Sequence, residues 1–150
     1  MKKVKQFLDY TASHPNVIIT YRASEMVLAA HSDASYLSES KARSRAGGHF
    51  FISNDVAIPS NNSAFITVSQ IIKAVMSSAA EEELGALFIN CREKIPARHA
   101  LEIMGHQQPP TPVQTNNTTA LGVVNNNIAS KRVKPMDMKL HWLRCRIAQN

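Results

Sequence analysis

The apolar and polar positions in the N-terminal half of the chain predict one helix followed by short strands. Apolar side chains recur at helical spacing over residues 2–12, which predicts a short amphipathic helix. Clusters of β-branched and aromatic residues then indicate strands, and these fall at residues 17–21, 25–33, 49–53 and 65–68. Residues 35–45 are mostly polar and are predicted to form a loop. Because short polar links join the last three of these strands, we expect an antiparallel meander.

The C-terminal half predicts helices around one further short strand. Residues 71–78 fit both a strand and a helix, and the strand is favoured because Ser78 and Glu81 have the spacing of a helix-capping pair. The helix that begins there is predicted to break or restart at Pro96 and to stop at Gly105. A strand at 113–115, a helix at 118–124 capped by Asn117, and a helix at 136–147 complete the order. This succession predicts an α/β fold with a mixed sheet flanked by helices.

Length and composition restrict the class of protein. A chain of 150 residues with 44% hydrophobic residues suits one domain with a packed core. Its two cysteines, Cys91 and Cys145, are too few for a disulfide framework and lack the Cys-x-x-Cys spacing of a zinc site. No apolar run approaches the roughly 20 residues that a membrane helix needs, and the basic N-terminus lacks the apolar core of a secretory signal. We therefore expect an intracellular protein, in the cytoplasm or alternatively in the nucleus, that does not bind membranes.

Three carboxylates stand near the ends of predicted elements. Asp33 ends a buried strand, Glu83 lies at the start of a helix, and Asp137 lies near the C-terminus. Carboxylates that meet from a strand and a neighbouring helix can hold Mg²⁺, and two such ions can drive phosphodiester hydrolysis. Each of the three also fits an ordinary turn residue or a solvated helix acid. Taken singly, these residues therefore leave both interpretations open.

Basic side chains near the acidic cluster are candidates for nucleic-acid contacts. The chain has 17 Lys and Arg against 11 Asp and Glu, a formal net charge of +6, which permits a polyanionic partner without requiring one. The acidic residues concentrate in the middle of the chain, and both ends are basic. Candidate phosphate contacts are Arg43, Arg45, Arg132 and Lys134, which fit solvated loops equally well.

Five motifs follow one another along nearly the whole chain, at residues 32–36, 44–51, 77–84, 115–121 and 132–137. In this order they resemble the ribonuclease H domain of copia-type long-terminal-repeat retrotransposons. The segment 4–10 is similar to the tail of the preceding reverse transcriptase region. The resemblance thus divides the chain into residues 1–23, the reverse transcriptase tail, and residues 24–150, the ribonuclease H-like domain of what was originally a larger polyprotein.

The resemblance implies a fold, an activity and a metal. The fold would be a mixed five-stranded sheet with helices, and the activity would be Mg²⁺-dependent hydrolysis of RNA in RNA–DNA hybrids during reverse transcription. Asp33 matches the first family carboxylate and Glu83 the second, with Glu81 as its nearest competitor. Asp137 matches the acid of the C-terminal motif. The partner would be an RNA–DNA hybrid or another nucleic acid.

The third carboxylate position departs from the family pattern. The family has Asp followed by Asn, whereas this chain has Asn116 followed by Asn117. A neutral amide at a position that normally holds a metal ligand predicts weak or no catalysis. Relatives also continue into a further strand, so we expect a domain that is incomplete at its C-terminus. The alternatives are a non-catalytic nucleic-acid-binding remnant and a fragment without function.

Overall fold

The computed structural model describes residues 2–125 and 134–149, together with the side chains of residues 3–125 and 137–149. In chain order the elements are α1 (Lys2–Ser13), β1 (Val27–Glu39), β2 (Arg43–Ser53), β3 (Ile66–Ile72), α2 (Ala79–Ile103), β4 (Val113–Thr115), α3 (Thr118–Val124) and α4 (Lys134–Gln149). The predicted order of strands and helices from β1 onward is confirmed. None of the helices described here combines the length and the apolar character needed to cross a membrane.

The sheet is mixed, as predicted, and contains four strands in the described part of the chain. Its order is β3-β2-β1-β4. β1 pairs antiparallel with β2, and β2 pairs antiparallel with β3, which confirms the meander. β4 lies parallel to β1, with Ala30 beside Val113 and Ser32 beside Thr115. The fifth strand that the family resemblance implies is not among the elements described.

The predicted strand at 17–21 is wrong. These residues form no ladder, and Ile18 is 84% exposed. Hydrogen bonds instead attach residues 20–22 to the segment before β3. Among them, Tyr21 Oη donates to Ala64 O at 3.0 Å, and the Arg22 amide donates to Asn62 Oδ1 at 2.9 Å. β-branched composition favours a strand only where a neighbouring strand is available to pair with it.

The predicted loop at 35–45 is also wrong, because β1 and β2 extend through most of it. The hairpin turn occupies residues 40–42, and Lys41 and Ala42 both have positive φ, at 62° and 51°. A bulge interrupts the ladder between Ser35 and Glu39. The three residues of β1 there lie opposite a single residue of β2, Ser44. The segment is polar because this end of the hairpin is largely exposed to water, and polarity alone predicted a loop.

The start of α2 confirms one prediction, and its length corrects another. β3 ends at Ile72. Of the strand predicted at 71–78, only residues 71 and 72 therefore lie in a strand. Ser78 caps the helix, with its side chain accepting from the Glu81 amide at 3.2 Å. Pro96 does not break α2, which continues to Ile103. The helix tolerates the lost hydrogen bond because it buries side chains on both sides of Pro96, with Leu87 before it and Leu101 after it.

α2 crosses one face of the sheet and forms the core with it. One buried cluster joins β2 and β3 to α2, α3 and α4, and includes Ile72, Leu84 and Leu143. A second cluster joins Leu28 and Phe50 to Leu101 at the other end of α2. By contrast, the apolar side chains of α1 are exposed. The core therefore fixes α2 over β1 and β2, which determines what its first turns can reach.

A buried glutamine brings the segment before β4 against β1. Gln108 Oε1 accepts from the Leu28 amide at 2.9 Å, and Gln108 Nε2 donates to Met26 O at 2.8 Å. The Ala30 amide then donates to Pro112 O at 3.1 Å, immediately before the β1–β4 ladder begins. Gln108 thus occupies the place of a neighbouring strand beside the start of β1, and it sets the register of β4.

Candidate functional site

Glu83 lies at the point where the sheet narrows from four strands to three. β4 ends at Thr115, opposite Ser32, so the Ala34 amide of β1 has no strand to pair with on that side. Glu83 Oε1 accepts from this amide at 3.3 Å. The Thr115 side chain also hydrogen-bonds to the Glu83 carboxyl. The buried Glu83 carboxyl therefore lies beside Ala34, in the position that β4 would occupy if the strand continued past Thr115.

Asp33 reaches the same edge from the other face of the sheet. The Ser32 side chain points toward α2, because Asn90 Nδ2 on that helix donates to Ser32 Oγ at 2.8 Å. Side chains alternate along a strand, so Asp33 points away from α2. It is exposed, and its charge acts on Glu83. Asp33 therefore lies on the face of the sheet opposite α2, and the convergence of Asp33 and Glu83 on one shared ion stays a prediction.

Asn116 is the first residue beyond β4. The β1–β4 ladder ends at the pair Ser32 and Thr115, and Asn116 follows as a bend outside it. Its side chain is exposed. Asn117, by contrast, has a structural role as the N-cap of α3, where its Oδ1 accepts from the Ala120 amide at 2.8 Å. The assignment of Asn116 to the site stays a prediction.

The electrostatics of the site concentrate on Glu83. Burial raises the pKa of its carboxyl above the ordinary value, and the charge of Asp33 raises it further. The hydrogen bonds from Ala34 and Thr115 act in the opposite direction. Glu83 Oε2 is buried and has no hydrogen-bond partner among the described residues. An oxygen in this state is suited to accept a proton or to bind a cation.

The side chains near this edge carry oxygen donors, and the binding of Mg²⁺ here stays a prediction. Two carboxylates, Asp33 and Glu83, and the amide oxygen of Asn116 are hard ligands of the kind Mg²⁺ prefers. No group of three His, Cys, Asp or Glu side chains is placed to hold a metal within the described residues. A single ion would retain most of its water, and a second dication would lack the negative charge needed to offset repulsion.

Glu83, rather than Glu81, faces the site. The Glu81 carboxylate accepts from the amide and the hydroxyl of Ser77, both at 2.8 Å, and so serves the start of the helix. Asp137 lies exposed in the first turn of α4. The acidic charges acting on Glu83 are those of Asp33 and Glu82, and Asp137 is not among them in the described part of the chain. Its assignment stays a prediction.

Glu82 is a buried carboxylate that the sequence did not single out. It is 1% exposed, and Ser44 Oγ donates to its Oε1, while Ser44 Oγ itself accepts from the Leu37 amide at 2.8 Å. Glu82 therefore holds the β1 bulge and the start of β2, on a different side of α2 from Glu83. Its only signal in the sequence was a place in a run of three acids, which is equally typical of a solvated first turn.

The candidate phosphate contacts have structural partners where they are described. Arg45 forms an ion pair with Glu39 at 2.7 Å and donates to Ser69. The hydrogen bond from Arg45 lowers the pKa of the Glu39 carboxyl. Arg43 donates to Ser40 O at 3.1 Å. Arg132 and the side chain of Lys134 lie outside the described part, so all four assignments stay predictions.

The comparisons with known proteins identify no family. No protein-family model matches the chain, and neither a curated protein nor a solved structure matches it. The ribonuclease H resemblance therefore rests on the ordered motifs of the sequence.

The raised pKa of Glu83 predicts a pH-dependent effect of neutralising it. A carboxyl whose pKa is higher in the folded state than in the unfolded state destabilises the fold at any pH above both values. This destabilisation disappears as the pH falls toward about 4.5. We expect Glu83→Gln to raise the melting temperature at pH 7, and this gain to shrink near pH 4.5. Gln retains an oxygen that can accept from Ala34. Thermal unfolding at both pH values, with exposed Glu93→Gln as control, measures the effect. An equal gain at both pH values would contradict it.

Proposed function

We propose that the chain is a ribonuclease H-like domain derived from a retrotransposon, with an impaired metal site. Its ancestral activity would be Mg²⁺-dependent hydrolysis of RNA in an RNA–DNA hybrid. Asp33 and Glu83 would contribute charged oxygen ligands, and Asn116 would occupy the place of a third. The present chain would bind hybrid nucleic acid and cleave it weakly or not at all.

One observation carries this proposal: residues from three separate motifs lie near one edge of the sheet. The charge of Asp33 on β1 raises the pKa of Glu83 on α2, although 50 positions separate the two in the sequence, and Asn116 follows the strand that pairs with β1. This placement supports the ribonuclease H proposal, which requires all three side chains at one metal site.

The residues present would perform part of the chemistry. Bound Mg²⁺ would activate water and stabilise the leaving oxygen of the phosphodiester. Glu83, held by Ala34 and Thr115, would present its unpartnered Oε2 in a fixed position. Asp33, which is exposed, would meet both the ion and the substrate. Asn116 supplies a neutral oxygen where a third negative charge would strengthen the site.

A non-catalytic hybrid-binding domain is the second candidate. Two observations support this second candidate. The described residues place only two carboxylates near the edge, and the chain as a whole carries a net charge of +6. Such a protein would retain electrostatic binding after its metal affinity had declined. The two candidates predict the same binding behaviour and differ in cleavage.

Binding of an RNA–DNA hybrid tests what both candidates share. We expect the logarithm of affinity to fall linearly with the logarithm of salt concentration, because neutralised phosphates release counterions. Arg43→Gln should weaken binding and reduce the slope by about one if Arg43 contacts a phosphate. The control Lys5→Gln neutralises an exposed side chain on α1. Fluorescence anisotropy at about 50 and 200 mM salt measures this, and salt-independent affinity, or equal affinity for double-stranded DNA, would argue against the proposal.

A further inference from the structure

A cleft of about 700 Å³ lies between α2, β4, α3 and α4. This volume is within the range of small-molecule binding sites. We call it the helical cleft. Its apolar walls come from all four elements and include Leu87, Cys91, Ile95, Val113, Leu121, Val124, Trp142, Leu143 and Ile147. Neither Asp33 nor Glu83 lines it, so it is distinct from the carboxylate site.

Most charged groups at the cleft already have partners. Arg98 donates to the carbonyl oxygens of Gln108 and Pro109, and it pairs with Glu102 at 3.2 Å. These contacts occupy its guanidinium group, and its charge still acts on Lys94. Arg146 lies over the Trp142 ring, 5.2 Å from the ring centroid, and is exposed, so water screens its charge. Arg98 is therefore engaged by the protein, and Arg146 is a solvated charge.

Lys94 is the half-buried cation at the cleft for which the described residues provide no ion-pair partner. It is half-buried, and among the described residues its ammonium group has neither a hydrogen bond nor an ion pair. Residues 126–133, which lie outside the described part, contain no Asp or Glu that could pair with it. Burial lowers the pKa of Lys94, which is consistent with an ammonium group held against apolar walls. A partly desolvated charge of this kind favours an anionic partner.

The neighbouring thiol does not provide that anion. Cys91 is buried one helical turn before Lys94 and also lines the cleft. Burial raises the pKa of the Cys91 thiol, so it stays protonated and neutral at physiological pH. Lys94 therefore faces apolar walls and a neutral thiol, and a bound molecule would have to bring the negative charge.

We propose that the helical cleft binds an apolar monocarboxylate, such as a medium- or long-chain fatty acid. The hydrocarbon chain lies along the apolar walls, and the carboxylate pairs with the Lys94 ammonium. Each buried methylene contributes roughly 0.8 kcal/mol, so chain length sets much of the affinity. A nucleotide fits less well, because the walls are apolar and Arg146, the other cation of the cleft without an anionic partner among the described residues, is exposed to water, which leaves one half-buried ammonium group for several phosphate charges.

Trp142 provides a direct measurement, because it is the only tryptophan of the chain and lines the cleft. Titration with decanoate is expected to change its fluorescence saturably. Decanol, which has the same chain length and no charge, should bind about tenfold more weakly. Lys94→Met should lower decanoate affinity by about tenfold and leave decanol affinity unchanged. Lys73→Met, at an exposed lysine outside the cleft, should bind like the unaltered chain.

Three results would overturn the proposal. These are the absence of a saturable signal with decanoate, equal affinity of the unaltered chain for decanoate and decanol, and displacement of decanoate by adenosine monophosphate at comparable concentration. The comparison of decanoate with decanol needs no variant, so it decides the matter even if Lys94→Met does not fold. Failure of these measurements would leave the hybrid-cleavage proposal unaffected, because that proposal concerns other residues.

Discussion

Asn116→Asp is expected to raise Mg²⁺-dependent cleavage of an RNA–DNA hybrid by about a hundredfold or more. Asp has nearly the same size as Asn, and residue 116 is exposed, so the fold should accept the change. If residue 116 belongs to the proposed metal site, the substitution adds a negative charge there, and a divalent cation and the transition state would both benefit. A gain of roughly 3 kcal/mol in transition-state stabilisation corresponds to about a hundredfold in rate. The unaltered chain should show little or no cleavage.

A neighbouring residue provides a matched control for this experiment. Asn117→Asp adds the same charge one position further on, and Asp also serves well as an N-cap, so α3 should persist. We expect no gain from it. Combining Asn116→Asp with Asp33→Asn should abolish any activity gained. Strong cleavage by the unaltered chain would refute the impaired-site interpretation, and a folded Asn116→Asp protein without gain would refute the assignment of this position.

Gly48→Ala is expected to destabilise the fold by about 2–3 kcal/mol, because overpacking in a core has costs of this order. A Cβ atom at Gly48 would overlap Asn90 Oδ1 and lie 3.0 Å from Phe50 Cε2. Asn90 cannot easily move aside, because it is buried and its Nδ2 donates to both Ser32 Oγ and Gly47 O at 2.8 Å. The new methyl group would therefore disturb the link between α2 and the two central strands.

Gly47→Ala is the matched control, with the same change at the adjacent position. A Cβ there would meet only Asp33 O, at 3.6 Å, which is an ordinary contact. We expect its free energy of unfolding to change by less than about 1 kcal/mol. Urea unfolding of both variants gives the comparison. Equal effects would show that Asn90 adjusts without cost and that this contact does not restrict the strand.

Local patterns predicted most of the elements, and the errors arose where distant residues decide the structure. The capping pairs at Ser78 and Asn117 depend on neighbours three positions away, so they were visible in the sequence. The β-branched residues 17–21 lack a strand to pair with, and no local pattern shows this. Likewise, β1 and β2 extend through the polar residues on either side of the turn at 40–42, because the two strands pair with each other and β2 also pairs with β3.

The candidate site shows the same division. Asp33 and Glu83 were recognisable as carboxylates at element ends, and in the fold the charge of Asp33 acts on Glu83. That Glu83 rather than Glu81 faces the site depends on which side of α2 packs against β1, and this is a tertiary property. Glu82 was overlooked because its burial depends on Ser44 in a distant strand. No residue type or spacing within the acidic run distinguishes the three glutamates.

The position of β4 beside β1 has a consequence for the order of assembly during translation. β1, β2 and β3 are consecutive and can pair as soon as they leave the ribosome, and α2 can then pack over them. β4 follows much later, and Gln108 meets Leu28 across 80 residues. Pairings this distant in sequence form slowly, and domains often begin folding before synthesis is complete. The nascent chain would therefore pass through a three-stranded state in which the edge of β1 is open and Glu83 still lacks its bond to Thr115.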